Sequence, residues 1–425
     1  MSIDFYKEFG PLGYLANYSN HGFTKDGTYY KTAEHFYQAS KFDNKKIIDK
    51  IINCETPKEA SKIGRDRNNK RISNFKNIKI DKMYEAIYLK FSQNKDIRSK
   101  LIETRNEEIR EMTTKESYWG VGPNEDGLNY TGKILMDVRD KVKEDLLNEI
   151  IEKCKEKKVY IIGHHNPDAD SIISAYILTK ILKKFKIDAI FSARDENLID
   201  KDLINVYLKE DYQIIDNYKD KYFILVDHNN LDNIKKENVI AAIDHHKITN
   251  EVEDLIEIEY ASTSLLIYDL FKDKYKFSKK EKELIAITVL SDTEYLTSSR
   301  FTKEDKKLYD ELKVNIDVTT IRNKFFKITD FNKDISINMK EDYKEYDSYE
   351  KHFNRCLIKS YSNEKDSFYE EYIKNMDNNN INLLIWCDYE KLKTYVYYNG
   401  NNIIYPIFTT STNLIIEYFY KNKYI

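Results

Sequence analysis

The sequence predicts a multidomain α/β protein: a segment of helices and glycine-containing loops, then a doubly wound parallel-sheet domain, then a smaller α/β domain at the C-terminus. Three observations predict it. At 425 residues the chain is long enough for two or three domains with full-sized cores. Between residues 159 and 291 apolar runs alternate with helical patterns, as strands of a parallel sheet alternate with crossover helices. Glycine is confined: of eleven in the chain, all but Gly163 and Gly400 fall in residues 10 to 132. A chain this poor in glycine uses it where backbone must bend or approach a ligand closely.

Taken in order, Asp26-Gly27 is a turn signal, and Thr32 can cap a helix that starts at Ala33. On that helix Glu34, Gln38 and Lys41 share one face by i, i+4 and i+7 spacing. Two readings stand: a surface ion pair, or a partly buried helix, as the neighbouring Phe36, Tyr37 and Phe42 suggest. Tyr118-Trp119-Gly120-Val121-Gly122 and the stretch from Gly127 to Gly132 supply glycines that let backbone approach a phosphate or sugar. Asp140 to Lys158 reads as a charged, helix-compatible connector. Beyond it, strands are expected at 159–162, 222–226, 239–243 and 256–260, and helices at 172–185, 263–273 and 279–291. A helical stretch from about 303 to 326 leads to a last block. That block has strands near 356–361, 381–387, 394–398 and 403–408 and a closing helix near 412–421. The expected domains are residues 1–148, 156–310 and 328–425.

Composition excludes several classes. A formal net charge of -3 provides no basic field for nucleic acid, and the clearest basic cluster, Gly64 to Arg71, reads as a phosphate-binding loop or a solvated segment. Cys54, Cys154, Cys356 and Cys387 form no paired-thiolate zinc pattern, so free thiols in a reducing compartment are expected. The N-terminus lacks a basic and apolar leader, and no apolar run approaches the ~18 residues of a membrane span. A soluble, cytoplasmic protein is the expectation, with oligomeric state left open.

The chemistry concentrates in four motifs: Gly163-His164-His165-Asn166-Pro167-Asp168-Ala169-Asp170, Val226-Asp227-His228, Ile243-Asp244-His245-His246 and Ser291-Asp292-Thr293. Each brings Asp or His to the end of an apolar run. Carboxylate and neutral imidazole suit Mn²⁺, Mg²⁺ or Co²⁺, and the absence of nearby thiolates argues against a structural zinc. Two such ions a few Å apart can activate a water and brace both the attacking and leaving oxygens of a phosphoryl transfer. In an open α/β sheet, ligands bind outside the carboxyl ends of the strands, where the first three motifs fall.

These motifs resemble those of the DHH phosphoesterase superfamily, and within it the manganese-dependent (family II) inorganic pyrophosphatases, over roughly residues 158 to 425. The resemblance implies two Mn²⁺ ions. His164, Asp168 and Asp227 would hold one; Asp170, Asp227, His245 and Asp292 would hold the other, with Asp227 bridging. His246 would contact substrate phosphate and serve as proton donor. Asp342-Tyr343-Lys344-Glu345-Tyr346 is similar to the family's substrate-lysine motif, so Lys344 either reaches a phosphate or is a solvated lysine. The family's Ser-Arg-Lys clamp is missing: Phe408 to Asn413 contains no Arg or Lys. Bidentate guanidinium contacts carry much of phosphate recognition. Pyrophosphate, a phosphate ester, polyphosphate and a short nucleotide therefore all stay open, as do exopolyphosphatase and nuclease readings.

A second resemblance covers about residues 5 to 143. The runs Leu15-Ala16-Asn17-Tyr18, Tyr30 to Phe42, Met83 to Asn94, Trp119 to Gly122 and Gly127 to Arg139 look like the NADAR (YbiA-like) family. It implies a mainly helical fold and N-glycosidase chemistry on ribosylated amines or bases, either early riboflavin-pathway intermediates or ADP-ribosylated guanine. Glu34 matches the family's catalytic acid. Lys41 matches a lysine that would attack the opened sugar as a Schiff-base nucleophile. Trp119 and Asn129 would line the pocket, with Glu116 as the acidic residue before the Trp-Gly pair. Where the family has Asp-Trp this chain has Asn74-Phe75; Phe75 can still stack on a base but has no indole N–H. Small phosphorylated or ribosylated molecules are thus the expected partners of a bifunctional hydrolase. A ligand-binding sensor regulating the phosphatase is the alternative.

Overall fold

A computed structural model describes residues 2–196, 198, 201–246, 252, 255–298, 301–318, 321, 329, 331–341, 343–360, 362–379, 381–388, 391, 393–398, 400–406 and 412–423. The N-terminal part is built on six helices: α1 (Ala33–Ala39), α2 (Lys45–Ile52), α3 (Pro57–Arg65), α4 (Phe75–Gln93), α5 (Lys95–Ile102) and α6 (Tyr130–Cys154). Four short strands accompany them: β1 (Ser2–Phe5), β2 (Phe23–Lys25), β3 (Thr28–Tyr30) and β4 (Glu108–Glu111). The turn expected at Asp26-Gly27 joins β2 to β3. Both residues have positive φ, 49° and 76°, as a two-residue hairpin of matching twist requires. The Thr32 side chain caps α1 by accepting the His35 N–H at 3.3 Å. The β1–β4 pair is parallel, with Phe5 opposite Glu111, and was not foreseen because both strands are short and half of their residues are charged.

The middle part is a six-stranded, all-parallel sheet of β5 (Lys158–Ile162), β6 (Asp188–Ala193), β7 (Gln213–Ile214), β8 (Tyr222–Val226), β9 (Val239–Asp244) and β10 (Leu255–Glu257). Its spatial order is β10-β9-β8-β5-β6-β7. From β5 the chain runs outward to β7, then returns to β8 on the other flank of β5. The β5/β8 boundary is therefore the topological switch point of a doubly wound sheet. Four helices belong to this part: α7 (Ala169–Lys184), α8 (Lys201–Tyr207), α9 (Thr263–Phe271) and α10 (Lys279–Asp292). A fifth, α11 (Lys303–Glu311), follows. Alternation along the strands splits the sheet's two faces. Val159, Ile161, Ile224, Val226 and Ile243 pack into the main core with the helices; Tyr160, Ile162, Phe223, Leu225 and Ala242 pack with Ile215 and Ile234 from connecting loops.

The stretch read as a connector is no linker. Helix α6 runs through it to Cys154 and buries Leu146, Leu147, Ile150 and Cys154, so the boundary expected near residue 148 lies inside a helix. One hydrophobic core runs from Phe5 through α6 to α7, α9 and α10.

The last part is a mixed sheet of β11 (Tyr343–Ser348), β12 (Lys351–Ser360), β13 (Leu383–Asp388), β14 (Lys393–Tyr398) and β15 (Asn401–Tyr405), in that spatial order. It carries helices Ile335–Glu341, Ser362–Asn375 and Thr412–Lys421. All four cysteines are free. Among the described residues, no helix is long and apolar enough to cross a membrane.

Because α6 contributes to one core on both sides of residue 148, Ile150→Ala is expected to cost about 2–5 kcal/mol. Urea unfolding followed by Trp119 fluorescence in a Trp386→Phe background, which reports on the N-terminal part, and by amide exchange of β5 should show both regions losing stability together.

Candidate functional sites

The four motifs converge at the switch point. His164 and Asp168 follow β5, Asp227 follows β8, His245 and His246 follow β9, and Asp292 ends α10. Their ligand atoms form three overlapping groups: His164 with Asp168 and Asp227; Asp170 with His245 and Asp292; and Asp227 with His245 and His246. Within each group the atoms lie within 4.8 Å of one another. Asp227 belongs to two of the groups: His164 Nε2 is 3.4 Å from its Oδ2, and His245 Nε2 is 3.2 Å from its Oδ1. Its backbone is left-handed at φ 63°, a conformation a non-glycine residue adopts only where the surroundings enforce it.

Local structure aims each group. Asp168 caps α7, accepting the Ser171 N–H at 3.0 Å. The Ser171 hydroxyl accepts the His164 N–H at 3.2 Å, and a Cβ on Gly163 would lie 1.6 Å from that hydroxyl. Glycine is thus what lets the first turn of α7 close on the end of β5. Asp170 is fully buried and accepts the N–H groups of Thr263 and Ser264 at 2.6 and 3.0 Å. His164 Nδ1 faces the His165 carbonyl at 2.7 Å, and His245 Nδ1 faces the Tyr260 carbonyl at 2.9 Å. A carbonyl only accepts, so Nδ1 carries the proton in each ring and Nε2 is left to face the carboxylates.

Burial, and then the adjacent Asp227 charge, push the Asp170 carboxyl up to about 7. Burial also opposes ionisation of Asp227, yet hydrogen bonds with His164 and His245 hold it well below the usual carboxylate range. His245 rises to about 9 because the Asp227 and Asp170 carboxylates outweigh its burial. Buried like charges crowded this closely, with imidazole Nε2 atoms among them, fit divalent cations.

His246 is half-exposed. Its Nδ1 is 2.9 Å from Asp244 Oδ1, which leaves Nε2 outward. Asp244 itself is fully buried, and its other oxygen accepts Asn229 Nδ2 at 2.6 Å. The motif reading took both histidines and passed over this acid, although its place at the end of β9 was the available signal. A buried Arg194 was also missed: its Nη2 donates to His228 Nε2 at 2.6 Å and it pairs with Asp232. Burial and that guanidinium lower His228 to about 4, so it stays neutral. Lys344 stands exposed on edge strand β11, opposite Arg355 of β12, and is not among the residues of the three ligand groups. Of the expected clamp stretch, residues 408–411 lie outside the described residues.

The second site is a cavity of about 350 Å³ in the N-terminal part. Glu34 and Gln38 line it from α1, a helix buried along its whole length; Lys41, expected on the same helix face, instead lies in the turn just past the Ser40 C-cap and reaches the cavity from there. The buried reading therefore holds, and the carboxylate and amine are bridged by Gln38. The Gln38 amide donates to Glu34 Oε1 at 2.7 Å, and Lys41 Nζ donates to Gln38 Oε1 at 2.5 Å. A Cβ on Gly64 would lie 1.9 Å from that amide oxygen, so glycine in α3 makes room for the bridge. Burial lowers Lys41 to about 8, against the pull of Glu34. Burial likewise raises the Glu34 carboxyl.

Trp119 lines the cavity and packs edge-on to Tyr37 at 5.7 Å. Phe75 is buried against Tyr37 and lies behind the lining residues, with Lys41 Nζ 5.8 Å from its ring centroid. Glu116 reaches the lining, but its carboxylate is engaged by the N–H groups of Tyr118, Trp119 and Gly120 at 2.8, 2.7 and 3.2 Å. It shapes the loop that carries Trp119. Asn129 does not line the cavity as expected. Its carboxamide accepts the Glu111 N–H at 3.1 Å and donates to the Ile109 carbonyl at 2.9 Å, pinning β4. That strand delivers a residue the motifs did not flag. Glu111 lines the cavity, burial pushes its carboxyl up to about 6, and Oε2 is buried without a well-formed hydrogen bond among the described residues. In Glu108-Ile109-Arg110-Glu111 nothing marks it as buried; only pairing with β1 does.

Residues 4–143 match the NADAR domain, and residues 158–291 match the DHH family, N-terminal domain. An N-glycosidase of Nostoc punctiforme is 40% identical over 146 residues, which make up 34% of this chain and 94% of that protein. The chain belongs to the NADAR family through its N-terminal third. A riboflavin biosynthesis protein of Vibrio vulnificus is 32% identical over 157 residues, 37% of this chain and 43% of that protein. A Methanococcus jannaschii structure provisionally named a family II inorganic pyrophosphatase is 22% identical, with a TM-score of 0.42, covering 60% of this chain and 95% of that one. A NADAR domain similar to N-glycosidases is thus followed in the same chain by a domain that matches the DHH family.

If Asp227 joins the ligand groups, Asp227→Asn should weaken Mn²⁺ binding by more than the roughly 10–100-fold typical of outer-shell changes. Titration calorimetry on the metal-free protein checks this.

Proposed function

We propose that the chain is a bifunctional hydrolase. Its NADAR domain cleaves an N-glycosidic bond of a ribosylated amine or base. Its DHH-family domain hydrolyses a phosphoanhydride or phosphoester with two divalent ions, Mn²⁺ by the chemistry of the donor set. The observation that carries the reading is the pair of separate buried constellations, Glu34–Gln38–Lys41 with Glu111 in one cavity and seven Asp and His side chains at the sheet switch point.

In the first site Lys41 is the nucleophile. A desolvated amine that loses its proton near pH 8 keeps a usable lone pair at neutral pH, which an ordinary lysine does not. Glu34 is the acid, its carboxyl raised by burial, and the Gln38 amide fixes its distance from the amine. Glu111 is a second proton-carrying group facing the substrate. The family relationship favours ribosylated riboflavin-pathway intermediates or ADP-ribosylated guanine as substrates.

In the second site His164, Asp168, Asp170, Asp227, His245 and Asp292 would hold the metal pair. When bound, such ions supply Lewis acidity and an activated water. His246, oriented by Asp244 and half open to solvent, is suited to meet a substrate phosphate and pass a proton to the leaving oxygen. The absence of Arg and Lys from residues 408–413 favours a substrate less dependent on a cationic clamp than pyrophosphate.

Two outcomes test this. N-glycosidase turnover should climb as pH rises through about 8, where the Lys41 ammonium deprotonates, and that limb should vanish in Lys41→Ala. With Mn²⁺, a panel of pyrophosphate, polyphosphate, nucleotides and phosphate esters should yield phosphate release that Asp227→Ala abolishes and Glu34→Ala leaves intact; equal rates in Asp227→Ala and the unaltered protein would sink the metal reading.

A further inference from the structure

The segment from Tyr260 to Ser264 serves three candidate ligands at once. The Tyr260 carbonyl accepts His245 Nδ1–H at 2.9 Å. The N–H groups of Thr263 and Ser264 donate to the two oxygens of Asp170 at 2.6 and 3.0 Å. The Thr263 hydroxyl donates to Asp227 Oδ1 at 3.1 Å. A small displacement of this one segment would therefore misalign ligands from three different motifs.

The segment is held from the other domain. Arg105, in the turn between α5 and β4, lays its guanidinium over the Tyr260 ring, with Cζ 3.9 Å from the ring centroid. Its Nη1 donates to Asp305 Oδ1 at 3.1 Å. Asp305 is fully buried and closes the capping box of α11 with Thr302. The turn that presents Arg105 is itself fixed. Arg105 has a left-handed φ of 49°, and Arg139 Nη1 from α6 donates to Thr104 Oγ1 and to the Glu107 carbonyl, both at 2.9 Å. The phenol end of Tyr260 is anchored in its own domain, donating to Asp269 Oδ2 at 2.8 Å. A planar cation stacked on a buried ring is a geometry that lysine cannot reproduce.

We propose that Arg105 is a positioning residue for the metal centre of the neighbouring domain. Through the Tyr260 ring, the NADAR domain sets the position of the segment that orients His245, Asp170 and Asp227. The DHH-family centre then reaches its full metal affinity only with the NADAR domain docked against it. The inference rests on the metal reading above.

The test uses the full chain, stripped of metal and titrated with Mn²⁺ by calorimetry, in unaltered form and as Arg105→Ala, Arg105→Lys and Asp227→Asn. Outer-shell partners typically change metal affinity by 10–100-fold, so Arg105→Ala should raise the Mn²⁺ dissociation constant about 10-fold. Arg105→Lys keeps a charge opposite Asp305 but has no plane to lay on the ring, and should fall in between. Any loss of phosphate release in these variants should disappear at saturating Mn²⁺, which general loosening of the fold would not produce. A folded Arg105→Ala protein that binds Mn²⁺ like the unaltered chain overturns the proposal. Where Arg105→Ala does not fold, an unchanged dissociation constant in Arg105→Lys overturns it equally. If the unaltered chain and Asp227→Asn bind Mn²⁺ alike, the metal reading itself falls, and the coupling with it.

Discussion

Two buried carboxylates, Asp170 and Asp227, meet at the switch point of a parallel sheet, and most of the middle domain is arranged around the cost of keeping them there. An unpaired buried charge is among the most expensive features a fold can carry. Asp227 is relieved by two imidazoles and a threonine hydroxyl. Asp170 is relieved by two backbone N–H groups from the first turn of α9, where the helix dipole also favours negative charge. The remaining imbalance leaves Asp170 half-way to protonation near neutral pH, and cations are the natural complement.

The N-terminal cavity meets the opposite problem by a different route. There an amine and carboxyls are buried without direct ion pairing. The Gln38 amide stands between Lys41 and Glu34, accepting from one and donating to the other. Separation by a neutral bridge keeps both groups closer to their uncharged forms than a salt bridge would, which suits nucleophilic and acid chemistry at pH 7. The two sites are joined physically by α6, which belongs to both cores, and by the Arg105–Tyr260 contact at the domain boundary.

Legibility from sequence followed the strength of local pattern. Strands β5, β8 and β9 are nearly continuous apolar runs and were read within a residue of their limits, because strands buried on both faces leave that imprint. Strand β6, Asp-Ala-Ile-Phe-Ser-Ala, has too short an apolar run to stand out and was passed over, and β11 was too, because this edge strand carries Lys, Glu and Asp and has no fully buried residue. The stretch from residue 140 was read as a charged, helix-compatible connector, and it is helical; its buried Leu146, Leu147 and Ile150 are spaced to meet a core that only the fold supplies. Asn129 and Glu116 were recognised as site residues but act on backbone, holding β4 and the Trp119 loop.

By itself, the sequence determined the chemistry available: which imidazoles and carboxylates end which strands, and that a glutamate, a glutamine and a lysine fall close together along one short stretch. Those are properties of residue type and short spacing, which local geometry preserves. The tertiary structure decided everything that depends on burial and distant neighbours. It brought Glu111 into the cavity through strand pairing with the N-terminus, and it tucked Phe75 behind Tyr37. It gave His246 its Asp244 partner and set an arginine of one domain against the segment that orients the other domain's metal ligands. Contacts between residues more than a hundred positions apart leave no periodicity in a single chain, so only the folded molecule records them.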